Sequence, residues 1–186
     1  MMLMSSILKC AVTAFVVTLI FVTSGHADDD ELTALFEGLR GEDPNAAAQI
    51  EGRIYDIWSQ SGSDSIDLLL SRGRNAMAED DIPQAIEHLT ALIDHAPEFA
   101  EGYNTRATAF FQSGKFGLAL ADIQKTLALN PRHFDAMSGL ALILEELGHP
   151  EDALAAWREV EALHPHREGL KDAMTRLERQ VEGADI

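Results

Sequence analysis

From Ile66 onward, apolar and small residues return at the same offset every 34 positions. Ala85, Ala119 and Ala153 form one column, Gly73, Ala107 and Ala141 a second, and Pro97, Pro131 and Pro165 a third. Larger apolar side chains align at Leu69, Tyr103 and Met137, and again at Leu89, Ile123 and Trp157. Three of the chain's 6 prolines thus share one register. A fixed period of this length marks a helical array in which every unit is one supersecondary element. The units run 66–99, 100–133 and 134–167. Each holds two amphipathic helices, interrupted by Asp80-Asp81, Gly114 or Gly148 and stopped near its proline, which cannot carry a helix onward. Small residues are needed where the paired helices cross, because interaxial distances of about 8–10 Å leave little room.

Helical periodicity continues on both sides of the units. Leu32, Leu35, Phe36 and Leu39 have the i, i+3, i+4, i+7 spacing of one helix face, preceded by the acids Asp28 to Glu31, which suit a helix N-terminus. Those acids lack the glycine turn and later glutamate of a calcium loop. Asp43 as N-cap and Pro44 at the first helical position open a second helix, with an apolar stripe of Ala47, Ile50, Ile54, Ile57 and Trp58. Ser61-Gly62-Ser63 ends it, and Ser63 or Asp64 caps the next. Residues 28–63 therefore form a leading helical segment, with Trp58 expected to pack against the first unit. Beyond the third unit, Leu170, Met174, Leu177 and Val181 predict a helix over 168–182 that covers the last pair's apolar face. Residues 183–186 are left as a tail.

The first 27 residues read differently. Lys9 precedes the apolar run Ala11 to Val22, and small residues lead to Ala27. That order describes a secretory signal peptide, with a cut expected after Ala27. A membrane tether through an uncleaved signal is the alternative, though the run falls short of the ~20 residues of a spanning helix. Cys10, the chain's only cysteine, precedes the run, which argues against a lipid-modified cysteine after the signal and leaves the rest of the chain without a disulfide. A formal charge of −17 disfavours nucleic acid and anionic membrane surfaces as partners, and membrane insertion after cleavage is not expected. A hydrophobic content of 46% argues for a packed core rather than an acidic disordered chain.

The columns of residues 66 to 167 resemble the tetratricopeptide repeat, a helix-turn-helix unit of the same period. The small-residue columns and the prolines carry the resemblance. The tryptophan common early in the family's unit is replaced by Leu69, Tyr103 and Met137, and its early leucine by Arg72 and Arg106 in two units. The resemblance implies an all-α, right-handed superhelical solenoid, with leading helices and a C-terminal capping helix around it. It also implies a concave groove lined by the first helix of each unit. The inward stripes would be Asp67, Leu70, Arg74 and Met77; Glu101, Asn104, Thr108 and Phe111; and Asp135, Ser138, Leu142 and Glu145. The partner-binding candidates among them are Leu70, Arg74, Met77, Asn104, Thr108, Phe111, Ser138 and Leu142, a mixture suited to an extended peptide or an amphipathic helix. The family's carboxylate clamp is not carried over: Leu70, Thr105, Asp135 and Gly139 stand where it would need lysine, asparagine or arginine, and only Arg74 keeps a charge.

No serine-histidine-acid arrangement, lysine-centred site or phosphate loop is specified by spacing, so the chain is not expected to be an enzyme; an envelope hydrolase is the least favoured class. No cofactor or metal is expected. Arg132-His133 and His164-Pro165-His166-Arg167 occupy equivalent unit ends and read as solvent-exposed connectors rather than a zinc site, which would ask for a fuller ligand set. The expectation is an interaction scaffold or adaptor exported to a bacterial periplasm, its partner another protein. A structural or self-associating protein, a homo-oligomer or one whose groove is filled by its own leading helices, stays open as the alternative.

Overall fold

The computed structural model describes residues 24–41 and 43–184; the apolar run assigned to a signal lies outside them. Nine α-helices are found among the described residues: α1 Ser24–Leu39, α2 Pro44–Trp58, α3 Asp64–Ala78, α4 Ile82–His95, α5 Ala100–Gln112, α6 Phe116–Leu129, α7 Phe134–Glu146, α8 Pro150–Leu163 and α9 Leu170–Ala184. Helices α3/α4, α5/α6 and α7/α8 are the three antiparallel pairs of the repeats, stacked in order, and α9 packs on α8. None of the described helices is long and apolar enough to cross a membrane.

The repeat columns do the work their sizes suggest. Ala85, Ala119 and Ala153 are fully buried, with Ala107 and Ala141 at the facing position of the crossing. At Gly73 a Cβ would come 2.6 Å from Leu89 Cγ, so the bulkier Leu89 is accommodated by the absence of any side chain opposite it. The turns inside the pairs share one geometry. Gly114 and Gly148 have φ of 70° and 76°, and Asp80, one period earlier, adopts the same left-handed conformation at φ 61°. Backbone bonds from Asp81 N to Ala76 O, Lys115 N to Phe110 O and His149 N to Leu144 O close each turn as a Schellman cap.

Arg106, which replaces an apolar residue of the family pattern, spans the inside of the second pair. Its Nε and Nη2 donate to Asp122 at 2.7 and 2.9 Å, and Nη1 donates to Thr90 on α4 at 3.1 Å. Asp122 is buried, and the bidentate bond raises the Arg106 pKa above its ordinary value.

The flanking helices follow their stripes. Phe36, Leu39, Ala47, Ile54 and Trp58 are buried on the leading hairpin, as are Leu170, Met174 and Leu177 on the closing helix. Asp43 caps α2 through Asn45 N, with Pro44 at the first position. Helix α9 reaches Ala184, past the boundary assigned to the tail. The placement of the hairpin differs from expectation. Trp58 does not rest on the first unit; its ring stacks on His133 at 4.1 Å and lies 4.9 Å from Phe134, at the junction of the second and third units. The hairpin folds back across the array, and its apolar face joins one core with α7, α8 and α9. His133 and His164 are consequently buried rather than solvent-exposed.

Candidate functional site

Helices α3, α5 and α7 place an acid at the same point near each N-terminus, and each acid holds a partner. Asp67 accepts from the backbone N and the hydroxyl of Ser61, in the loop leaving α2. Buried Glu101 accepts from Arg74 and, at 2.9 Å, from Nε2 of His133. Nδ1 of His133 accepts from Ala136 N, which fixes the ring's tautomer. Arg74 also donates to Ser59 at 3.0 Å. Asp135 is paired with Nη2 of Arg167 at 2.6 Å.

Helix α2 is tied into that row. The Tyr55 hydroxyl stands 2.9 Å from both Glu51 Oε1 and Asp135 Oδ1 and accepts from Arg167 Nη1 at 2.9 Å. With one hydrogen it donates to one carboxylate at a time. Arg167 also binds Glu51 directly. His164 Nε2 lies 3.4 Å from Glu51 Oε2 without hydrogen-bond alignment, and neither of its ring nitrogens has a hydrogen-bond partner among the described residues. The His164 contact, the Tyr55 bond and the Arg167 charge hold the Glu51 carboxyl down to about 2 against burial, which acts to raise it. Burial pushes Asp135 up, outweighing Arg167. Burial and the neighbouring carboxylates also raise the Tyr55 hydroxyl. Connectors complete the attachment: Arg132 lies 4.7 Å over the Phe36 ring, and His166 Nε2 is 2.5 Å from Gly41 O.

The hairpin narrows the groove without closing it. Between α5 and α7 a cleft of about 290 Å³ remains, lined by Asn104, Thr108, Phe111, Ser138 and Leu142, with Ala107, Ile123 and Ile143 at its base and Asp135 and Arg167 among its walls. A second, wider depression of about 490 Å³ lies between Tyr55 and Asp56 of α2, with Ser59 just after it, and Arg74, Met77, Asn104 and Thr108 of the repeats. The two share Asn104, Thr108 and Asp135, so they form one continuous groove with α2 as a wall.

Seven of the eight groove residues read from the sequence thus line it; the eighth does not. Leu70 is 2% exposed and belongs to the core cluster of Ile66, Leu89 and Tyr103, so its apolar surface is consumed by packing. Ser138 lines the cleft but is buried, with its hydroxyl donated to Phe134 O at 2.8 Å. Glu145, on the same inward stripe, accepts from Trp157 Nε1 and pairs with Arg176. The residues that sequence reasoning missed are those supplied from a distance: Tyr55, Asp56 and Ser59. Their signal was indirect, in the acid column and the basic connectors that α2 now joins.

Stacked helix pairs presenting a concave groove from their first helices define a superhelical repeat scaffold. The chain belongs to the tetratricopeptide repeat family. It is 34% identical over 153 residues to a tetratricopeptide repeat-containing protein of Rhizobium etli, covering 82% of this chain and 75% of that one. That match is longer than the three units together and so takes in flanking sequence. The family's sequence profile matches residues 104–168. The small glutamine-rich tetratricopeptide repeat-containing protein 2 of Saccharomyces cerevisiae is 29% identical over 114 residues, and the match covers 61% of this chain but 33% of the yeast protein. Among solved structures, the first tetratricopeptide domain of Spaghetti bound to the HSP90 peptide SRMEEVD aligns with a TM-score of 0.62 at 22% identity, over 64% of this chain and 95% of that one. That likeness is one of fold.

Proposed function

We propose that this protein is a non-enzymatic adaptor or assembly scaffold of the cell envelope that holds another protein by a peptide or amphipathic helix laid in the composite groove. The observation that carries this reading is the open cleft beside α2, where Phe111 and Leu142 are displayed next to Asn104 and Thr108. An apolar pocket bordered by amide and hydroxyl groups offers an anchor for one side chain and hydrogen bonds for a backbone. The structurally similar Spaghetti domain is bound to a peptide, which supports a peptide as the kind of partner. Export belongs to the proposal and rests on the sequence of residues 1–27. Sequencing the N-terminus of protein recovered from the envelope should return a start at Asp28; a start at Met1 replaces export with tethering.

Selection from a displayed random-peptide library tests the site. Peptides should be enriched whose affinity falls at least about tenfold in Phe111→Ala, the loss expected when a buried anchor forfeits its pocket. Enriched peptides that bind Phe111→Ala unchanged would place recognition elsewhere. The docked hairpin favours one other reading, a structural protein whose groove is already filled. Tyr55→Ala separates the two, since loosening α2 raises peptide affinity if the hairpin is a competitor and lowers it if the hairpin is a wall.

A further inference from the structure

The charges around the groove are unequally spent. Arg74 is engaged by Glu101 and Ser59, and Arg167 by Glu51 and Asp135, so both guanidiniums in the walls are already neutralised. Asp56 is exposed on α2, lines the wider depression, and has no ion pair among the described residues. Glu101 and Asp135, of α5 and α7, line the same depression and are each paired with one of those arginines. The formal charge of −17 adds a field of the same sign. A cation therefore enters this end of the groove with attraction, while a carboxylate finds both lining arginines already paired and only neutral donors such as Asn104 and Thr108 to receive it.

We propose that the groove selects a cationic peptide segment, one that seats an apolar side chain between Phe111 and Leu142 and sets a lysine or arginine against Asp56. This rests on the reading of the cleft as a peptide site and adds the chemistry of its ligand. It sets the chain apart from its structural neighbour, whose bound peptide SRMEEVD is rich in acids. Selectivity arises from the hairpin, because the unspent carboxylate comes from α2 and not from the repeats.

The test uses three synthetic peptides with the same central Phe and Leu, carrying lysine, glutamine or glutamate at the flanking positions. Their binding to the full chain is followed by fluorescence anisotropy. The lysine peptide should bind tightest and the glutamate peptide weakest, with the preference shrinking as salt is added. Asp56→Asn should cost the lysine peptide about two- to fivefold, the worth of one exposed ion pair, and leave the glutamine peptide unchanged. Glu159→Gln, at an exposed position of α8, should leave both peptides unchanged. Equal or tighter binding of the glutamate peptide overturns the proposal. So does an equal loss in Asp56→Asn and Glu159→Gln, which would mean a diffuse field. If all three peptides bind alike and Phe111→Ala weakens them alike, the cleft reading survives and the cationic one fails; if Phe111→Ala has no effect on any, both fail.

Discussion

Glu51 shows what a single side chain contributes to holding the hairpin in place. Its carboxyl is held at about 2, well below the ordinary value of 4.5, so the folded state favours the ionised form. A depressed carboxyl stabilises above the unfolded pKa and loses that contribution as pH falls through the folded one. The window is therefore about pH 4.5 to 2, and the contribution is at most about 3 kcal/mol. Asp135, raised by burial, has the opposite sign and loses stability as pH rises through its folded pKa. Glu51→Gln should lower the denaturation midpoint at pH 7, and its deficit relative to wild type should shrink as the pH falls through that window. A deficit that is constant with pH would mean that Glu51 is not ionised against His164 and Arg167. Nothing in the local sequence announces this role, since Glu51 sits on the polar side of its helix and its basic partners are more than a hundred residues away.

At the scale of the helix pair, the spacing of small residues was legible and its energetic consequence is direct. Ala119 is fully buried at the crossing of α5 and α6, so Ala119→Leu should overpack it and cost about 1–3 kcal/mol in urea denaturation. An unchanged midpoint would contradict the packing register. The turns were equally legible at Gly114 and Gly148, because a left-handed cap selects glycine. Asp80 occupies the same conformation without that signal. Arg106 was visible only as a departure from the family pattern; its reason, the bond to Asp122 on the partner helix, depends on the pair having already formed.

At the scale of the whole molecule, periodicity specifies the neighbours of each helix in the stack but says nothing of a segment that returns across it. The stripes of α1 and α2 were correctly read as core-forming, yet an apolar stripe does not name the surface it meets. Trp58 reaches the His133 and Phe134 junction, skipping the unit next to it in sequence. The connector histidines and arginines, read as exposed, become the fastening of that contact for the same reason. Groove residues contributed by the repeats could be found from their register, apart from Leu70, whereas the α2 wall could not. The central claim is thus a long-range one, that the leading hairpin lies on the third unit and shapes the groove there. A double-mutant cycle between Glu51→Gln and Arg167→Met, read by urea denaturation, tests it most directly. Docking predicts a coupling energy of about 1–3 kcal/mol, whereas additivity within about 0.5 kcal/mol would show that the two side chains do not meet and that the hairpin lies elsewhere.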